Sequence, residues 1–393
     1  MAALETIRAY HEALTSIRRD IHAHPELGFT EHRTSDLVAG ELAGLGIEVH
    51  RGVGGTGVVG VLRRGNGQAA IGLRADMDAL PIHEATGAAY ASRTPGVMHA
   101  CGHDGHTTML LGAARYLASG GHFNGTVNFI FQPAEEGLGG AQAMLKDGLF
   151  GRFPCDAVFG MHNRPGLPIG QFAIRPGAMM AGGGFFDIVV SGRGAHGARP
   201  EAAIDPVLAA CHVVTAMQSV VARNVPPSET AVLSATAVLG GDAYNVIPQT
   251  AVIRGTARAF RGELLALMEA AVRRVATGVA AGLGATAEVD WRVLFAPLVN
   301  DGAETEAIAE AAAAVVGASR VERDGPAVMA SEDFSFMLEA VPGAYINIGN
   351  GDQEGSCGVH NPGYDFNDAA IPYGAALFAE LVERKLPQGA VGL

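Results

Sequence analysis

Hydrophobic positions in the first part of the chain switch repeatedly between helical and strand spacing. Ile7, Tyr10, Leu14, Ile17 and Ile21 recur every three or four residues, which predicts one amphipathic helix over residues 4–21. Beyond it, helical patterns at 35–45, 107–118 and 141–149 are interspersed with strand patterns at 58–62, 70–73, 126–131 and 157–160. Strands interspersed with helices in this way are typical of an α/β domain with a mainly parallel sheet.

The pattern changes between residues 185 and 293. Strand patterns at 185–190, 231–238, 251–257 and 287–293 and helical patterns at 205–223 and 263–281 follow the ferredoxin-like order β-α-β-β-α-β. Helix and strand patterns resume at 304–316, 344–348 and 368–384. We therefore predict an α/β main domain of residues 1–180 and 294–393, with a mixed, mainly parallel sheet flanked by helices. A ferredoxin-like α+β domain of residues 181–293 interrupts it.

Composition excludes several classes of function. The 393 residues carry 27 Lys and Arg against 40 Asp and Glu, a formal net charge of −13, which argues against binding to nucleic-acid backbones. Neither a run of about 18 apolar residues nor an apolar leader is visible, so we expect no membrane span and no signal peptide. The 4 cysteines lie far apart, which predicts reduced thiols in a cytoplasmic protein.

Five short segments with chemically reactive side chains lie at or after the ends of predicted strands, where ligands bind in open α/β sheets. They are 73–78 (LRADMD), 98–106 (MHACGHDGH), 132–137 (QPAEEG), 160–162 (GMH) and 359–362 (VHNP). In isolation, an acidic segment is often a solvated turn, and a lone histidine is more often a packed or surface residue. Segment 98–106 differs, because its 3 His, 1 Cys and 1 Asp include the residue types that bind zinc-like metals.

Together the segments supply five ligand-type side chains, which are Cys101, His103, Glu136, His162 and His360. One zinc-like ion needs three or four protein ligands. Five ligands with a further carboxylate fit two ions about 3.5–4 Å apart. Adjacent residues of an extended chain point in opposite directions, so Glu135 can serve as a general base beside Glu136. Asp78 is the candidate for orienting a metal ligand.

These segments, together with RRDIHAHPELGF (18–29), SEDFS (331–335) and HNPGYDFND (360–368), resemble the amidohydrolase branch of the aminoacylase-type metallopeptidases. That branch includes hippurate hydrolases, N-acyl-amino-acid amidohydrolases and hydrolases of auxin–amino-acid conjugates. The resemblance covers nearly the whole chain, with the motifs in the family's order. It implies a two-metal catalytic domain interrupted by a ferredoxin-like domain that mediates dimerisation, so a homodimer or a dimer of dimers is expected.

The resemblance also implies roles for individual residues. It assigns the metal ligands to the five side chains named above, the general acid/base to Glu135 and a supporting acidic role to Asp78. GRGAHGARP (192–200) is similar to the family's glycine-rich loop, which makes His196 a substrate-binding candidate. YNVIP (244–248) resembles another family element and makes Asn245 a second candidate. Glu201 stands where an additional histidine is frequent, which leaves the detailed substrate open.

The predicted function is metal-dependent hydrolysis of a small N-acyl amino acid to a carboxylic acid and a free amino acid. Two divalent ions are expected, zinc or manganese first and cobalt or nickel as further candidates, since all four metals suit such ligands and availability often decides between them. A competing hypothesis is a hydrolase in which Cys101 is the nucleophile and His103 or His106 the base, although it leaves the Glu135–Glu136 pair unexplained. A dipeptidase or carboxypeptidase of the same superfamily is also compatible with the motifs, and so is a non-catalytic metal-binding protein.

Overall fold

The computed structural model describes residues 2–352 and 357–388. The α-helices are α1 (Ala2–Arg8), α2 (His11–Ala23), α3 (His32–Gly44), α4 (His103–Ser119), α5 (Gly140–Lys146), α6 (Leu149–Arg152), α7 (Pro206–Asn224), α8 (Gly262–Gly282), α9 (Gly302–Val316), α10 (Ser335–Ala340) and α11 (Ile371–Lys385). The strands are β1 (Glu48–Val53), β2 (Gly57–Arg64), β3 (Ala70–Asp76), β4 (Gly125–Gln132), β5 (Ala157–Arg164), β6 (Phe172–Ala173), β7 (Gly177–Met180), β8 (Gly182–Ser191), β9 (Ala195–His196), β10 (Ala231–Leu239), β11 (Val246–Ile247), β12 (Thr250–Ala259), β13 (Thr286–Phe295), β14 (Leu298–Asn300), β15 (Val321–Glu322) and β16 (Gly343–Gly349).

These elements fall into two units. Unit 1 contains the described residues of Met1–Met179, Val299–Pro326 and Asp333–Leu393, and unit 2 contains Met180–Leu298 and Ala327–Glu332. Each unit has its own hydrophobic core, built from side chains of its own helices and sheet. The chain is therefore a mixed α/β protein in which one unit is inserted into the sequence of the other.

Unit 1 is built on an eight-stranded sheet in the order β1-β2-β4-β3-β5-β16-β6-β15. The neighbouring pairs β4–β3, β3–β5, β5–β16 and β6–β15 are parallel. The pairs β1–β2, β2–β4 and β16–β6 are antiparallel. Every residue of β3 is buried, as expected for a central strand covered on both faces. The mixed, mainly parallel sheet predicted from the sequence is confirmed.

The register of the central strands brings the reactive segments to one edge of this sheet. β3 is parallel to β4 on one side and to β5 on the other, with Asp76 opposite Gln132 and Arg74 opposite Gly160. Because parallel neighbours end at the same edge, the segments that follow β3 and β4 lie beside the last residues of β5. This arrangement collects polar residues from positions far apart in the sequence.

Unit 2 contains a four-stranded antiparallel sheet in the order β10-β12-β8-β13. Helices α7 and α8 pack against each other and against the sheet. The side chain of Asp205 caps α7 by accepting hydrogen bonds from the backbone N–H groups of Val207 and Leu208, and Pro206 occupies the first turn. The Asp-Pro helix start predicted from the sequence is therefore confirmed.

Helix α7 is long and apolar enough to cross a membrane by length and composition alone. Its buried face, however, is part of the core of unit 2, where Ala209, Val213, Met217 and Val220 are buried. About a third of the helix is buried in this way.

Several local features differ from the sequence-based expectation. The helix predicted over residues 141–149 is divided into α5 and α6, and the helix predicted over 107–118 begins earlier, at His103. The helix predicted over residues 4–21 is divided into α1 and α2, with Ala9 and Tyr10 between them. Leu4, Ile7, Leu14 and Ile21 are buried on both sides of the break, so the apolar periodicity continues across it and conceals it. β5 extends to Arg164 rather than ending at residue 160. β1 was not predicted, because this edge strand buries one residue of six and lacks an alternating pattern.

Candidate metal centre

The five ligand-type side chains of the sequence analysis lie together in unit 1. Cys101 precedes α4, His103 begins α4, Glu136 follows β4, His162 is in β5 and His360 is in the segment before α11. The potential ligand atoms of Cys101, His103 and His162 lie within 4.8 Å of one another, and so do those of Cys101, Glu136 and His360. The structure thus joins all five residues in two overlapping sets that share the Cys101 thiol.

Distances within the cluster match those between atoms that surround a common cation. Cys101 Sγ lies 3.3 Å from His162 Nε2. Glu136 Oε1 lies 3.1 Å from His360 Nε2 and 4.0 Å from His103 Nε2. Since metal–ligand bonds of zinc-like ions are about 2.0–2.3 Å, two ligands of one ion are separated by distances of this size.

Asp78 orients two of these residues. Its Oδ1 lies 3.2 Å from His103 Nδ1 and its Oδ2 accepts a hydrogen bond of 3.0 Å from the backbone N–H of Glu136. With the His103 Nδ1–H group donating to this carboxylate, Nε2 is presented to the cluster. A carboxylate behind a histidine is the common arrangement in zinc sites, where it fixes the ring and raises its basicity.

Among the described residues, His103 Nε2 is a buried polar atom of the cluster without a hydrogen bond, whereas Glu136 Oε1 has His360 Nε2 as a neighbour at 3.1 Å. Buried polar atoms are normally satisfied, and a bound cation would satisfy His103 Nε2. The donor set consists of one thiol, three imidazoles and one carboxylate, which suits zinc and its first-row neighbours. The residues present therefore fit a centre for divalent metals.

The carboxylates around the cluster favour positive charge within it. Burial lowers the pKa of His103, but the nearby carboxylates, Asp76 first and then Asp78, outweigh this effect and raise the pKa to about 10. In the metal-free protein His103 thus carries a proton as a counter-charge, which a metal ion would displace. At His162 desolvation prevails and lowers the pKa, which favours the neutral imidazole that binds metals.

Two non-glycine residues with positive φ lie at the cluster. Ala134, which precedes Glu135, has φ of 52° and His360 has φ of 62°. The buried carboxylate of Glu31 holds the first of these turns by accepting a hydrogen bond of 2.8 Å from the backbone N–H of Ala134. Unfavourable backbone conformations persist where surrounding contacts enforce them, and they are common at functional sites.

Glu135, the predicted general base, lies beside the cluster. Its ligand atom, together with those of His103 and Glu136, forms a group within 4.8 Å. Its Oε1 accepts a hydrogen bond of 3.3 Å from the backbone N–H of Asp333. Glu135 is 7% exposed, so it lies buried beside the cluster.

His196 and Asn245, the predicted substrate-binding residues, are neighbours within unit 2. His196 is in β9, which pairs with β11 so that His196 lies opposite Val246, and the backbone N–H of Gly197 donates a hydrogen bond of 2.7 Å to Asn245 O. Both residues are exposed. Their roles stay predictions.

Three buried residues around the cluster have no place in the two-metal site predicted from the sequence, although His106 is a candidate base in the competing cysteine-hydrolase hypothesis. His106 Nδ1 lies 2.6 Å from Asp76 Oδ1 and His106 Nε2 accepts from the backbone N–H of Asn163. Asp333 lies in the SEDFS segment, whose resemblance to the family was its only signal. Asn163 follows the GMH motif as an ordinary polar residue, and nothing in the sequence marks it.

Comparison with known proteins identifies the family of the chain. The model of peptidase family M20/M25/M40 matches residues 72–384, a span that contains all five ligand-type residues. The chain belongs to this family. Hippurate hydrolase from Campylobacter jejuni is 45% identical over 370 residues, covering 94% of this chain and 96% of that protein. The IAA-amino acid hydrolase ILR1-like 2 of Arabidopsis thaliana is 40% identical, covering 96% of this chain and 86% of that protein.

A family structure also matches along the whole fold. The Bacillus subtilis YXEP protein, described as a dinuclear metal-binding peptidase from the M20 family, superposes with a TM-score of 0.84 at 36% identity. The match covers 96% of this chain and 99% of that one. The resemblance drawn from the sequence motifs is thus confirmed at the level of the family and of the fold.

Proposed function

We propose that the chain is a metal-dependent amidohydrolase that cleaves N-acyl amino acids to a carboxylic acid and a free amino acid. The observation that carries this proposal is the pair of overlapping three-residue sets around Cys101, with Glu135 beside them. The hippurate hydrolase and the IAA-amino acid hydrolase, similar over almost the whole chain, support the same reaction class.

The five ligand-type residues would hold two divalent ions, with Cys101 shared between the two sets. The dinuclear YXEP structure supports this number. Zinc or manganese is the proposed metal, with cobalt or nickel as further candidates, because all four suit such ligands and availability often decides between them. Bound there, such ions polarise an amide carbonyl and lower the pKa of water. Asp78 keeps His103 in the orientation that this centre requires.

Glu135 acts as the general acid and base. Its carboxylate accepts the proton of the attacking water and delivers it to the nitrogen of the leaving amino acid. The backbone N–H of Asp333 holds the Glu135 carboxylate by its Oε1 atom, so the group reaches the reacting atoms without first reorganising. Oriented proton transfer of this kind is worth about 10²–10⁴-fold in rate.

The proposal extends to unit 2 and to the assembly. Residues 181–293 serve as a lid and dimerisation domain of a homodimer or a dimer of dimers, and His196 and Asn245 contact the substrate carboxylate or the developing oxyanion. The separate core of unit 2 supports this division of the chain. The four cysteines are unpaired, which supports a cytoplasmic location.

The deciding experiment compares the wild-type enzyme with Glu135→Gln after removal of all metal and reconstitution with zinc or manganese. The substrates are hippurate, N-acetyl and indoleacetyl amino acids, and unblocked dipeptides. We expect hydrolysis of the N-acyl amino acids that disappears with the metal and returns with it. Glu135→Gln should bind the same amount of metal and lose at least ~10²-fold in kcat.

Two outcomes would contradict the proposal. Hydrolysis that survives complete metal removal and disappears on thiol alkylation would establish Cys101 as a nucleophile. The structure argues against that chemistry, because Cys101 lies among the other ligand-type side chains, and a Cys–His mechanism leaves the Glu135–Glu136 pair without a role. Preferential cleavage of unblocked dipeptides would make the chain a peptidase of the same fold.

A further inference from the structure

Asn163 is a buried residue of β5 that makes hydrogen bonds in three directions. It follows His162 in the sequence and is 2% exposed. Its backbone N–H donates to His106 Nε2 at 2.9 Å, its Nδ2 donates to the carbonyl oxygen of Cys101 at 2.6 Å, and its Oδ1 accepts from the hydroxyl of Tyr364 at 2.7 Å. The amide is therefore used both as donor and as acceptor.

Each of these bonds ends on a segment that carries a ligand-type residue. The Nδ2 bond holds Cys101 by its own carbonyl group, and the bond to His106 fixes the backbone directly after His162. Tyr364 is in the segment of His360, whose backbone N–H donates to Ala100 O at 2.7 Å. The Asn163 side chain thus connects its own strand to segments that lie 62 and 201 residues away in the sequence.

The polarity of the network is fixed by its donors. Because the backbone N–H of Asn163 can only donate, His106 Nε2 is an acceptor and the ring proton is on Nδ1, which donates to Asp76 Oδ1 at 2.6 Å. Arg74 Nη1 donates to the other oxygen of Asp76 at 2.6 Å. Asn163 is therefore linked through His106 to Asp76 at the end of β3. In this chain of hydrogen bonds each group has a fixed role as donor or acceptor.

The packing around the Asn163 amide leaves no space for another arrangement. Gly102, between Cys101 and His103, has φ of 89° and lies against the amide. A Cβ atom on this residue would collide with Asn163 Nδ2 and with the hydroxyl of Tyr364. Glycine fits this position at the start of α4 because it tolerates both the left-handed conformation and the close approach.

We propose that Asn163 is a positioning residue that sets the relative placement of Cys101, His162 and His360 and so determines how tightly the centre binds divalent metals. It is not one of the five ligand-type residues. The inference rests on the two-metal centre of the proposed function. Partners behind the ligands of metal sites change metal affinity or activity about 10–100-fold when removed, and we expect Asn163 to fall in this range.

The experiment titrates metal-free protein with Co²⁺ alone and follows affinity, the absorption band of the Cys101 thiolate–cobalt bond, and thermal unfolding of the metal-free form. Asn163→Leu, which keeps the size but removes the amide, should bind Co²⁺ about 10–100-fold more weakly and shift the band. Asn128→Leu is the matched control. Asn128 is an equally buried residue of β4, 1% exposed, whose Nδ2 donates to Pro154 O away from the cluster.

Asn128→Leu should destabilise the metal-free protein while its Co²⁺ affinity stays within threefold of wild type. Asn163→Asp supplies a second measurement. It keeps an acceptor for Tyr364 but removes the donor to Cys101 O. The negative charge that Asn163→Asp adds would by itself tighten Co²⁺ binding. Weaker binding by this variant would therefore result from loss of the hydrogen bond to Cys101 O.

The inference is overturned if Asn163→Leu and Asn163→Asp both bind Co²⁺ within threefold of wild type with an unchanged band, even where they lower the unfolding temperature. That result would reduce Asn163 to a structural residue. A wild-type protein that binds no Co²⁺ would instead contradict the proposed metal centre, so the two failures are distinguishable.

Discussion

At the scale of single residues, hydrogen bonds of Asp333 connect the proposed base Glu135 to strands β3 and β4 of the sheet. Its Oδ1 accepts from Gln132 Nε2 at 2.6 Å and from Arg74 Nη2 at 3.3 Å, and its Oδ2 accepts from the backbone N–H of Ala141 at 2.9 Å. The backbone N–H of Asp333 is the group that holds Glu135. A carboxylate bound at both oxygens fixes its own backbone, and through it the base.

Asp333→Asn is therefore expected to lower kcat about 10–100-fold, because an amide lacks the charge that balances Arg74 and cannot accept at both ends. KM and the metal content should change little. Steady-state kinetics on hippurate with metal analysis measures this. Asp301→Asn, which alters the cap of α9 in the same unit, is the control and should retain its turnover. An unchanged kcat in Asp333→Asn would remove Asp333 from the positioning of Glu135.

The ligand-type residues could be predicted from the sequence because Cys, His and Glu carry their chemistry in their identity. Of the residues that hold them, only Asp78 is a candidate from the sequence, and its contact with His103 lies across 25 positions. Asn163 and Asp333 are ordinary polar side chains in the sequence, and their importance depends on partners such as Tyr364 and Arg74 that lie 201 and 259 positions away. No local pattern encodes such pairs.

At the scale of elements, α7 shows how local signals and packing cooperate. Asp205 and Pro206 define its start, and a single face of the helix fills the core of unit 2. The cap satisfies two backbone N–H groups that the helix itself leaves unpaired. The start of α7 therefore depends on one side chain.

Asp205→Ala is expected to lower the free energy of unfolding by about 1 kcal/mol. Chemical denaturation followed by circular dichroism measures the loss. Asp242→Ala, at an exposed position of the same unit, is the control and should stay within about 0.5 kcal/mol of wild type. Equal stability of the two variants would show that the Asp205 cap contributes nothing.

Long elements such as α4, α8 and β12 could be predicted because periodicity accumulates over their length. The strands of two to four residues, β6, β7, β9, β11, β14 and β15, are too short to leave a pattern. Their pairing is decided by distant segments, as where Val321 lies opposite Phe172. The division between α1 and α2 was hidden because the same apolar face continues through both helices.

At the scale of the molecule, a buried ionic network makes stability depend on pH. His22 Nδ1 lies 2.8 Å from Asp104 Oδ2, and its Nε2 lies 3.4 Å from Glu84 Oε1. Burial lowers the pKa of His22, but the hydrogen bonds with Asp104 and Glu84 prevail and raise it from 6.5 to about 9. The folded protein therefore binds this proton more tightly than the unfolded chain does.

The stabilisation from His22 is fully present below pH 6.5 and is lost as the pH rises through 9. We expect the wild type to lose on the order of a few kcal/mol of unfolding free energy across this window, at about 1.4 kcal/mol per pKa unit. His22→Gln should flatten the dependence, as followed by urea denaturation of metal-loaded protein at each pH. His50→Gln, on the edge strand β1, should keep the wild-type slope, and parallel curves for all three proteins would contradict the assignment.

The insertion of unit 2 has a consequence for the order in which the protein is made. Cys101, His103, Glu136 and His162 leave the ribosome before Met180–Leu298, and His360 leaves it afterwards. At about 5–20 residues per second, the 198 positions between His162 and His360 take roughly 10–40 s to synthesise. During that interval β16, α11 and His360 are still missing from unit 1, so the five ligand-type residues cannot all be assembled. A complete two-metal centre can therefore form only after His360 has been synthesised.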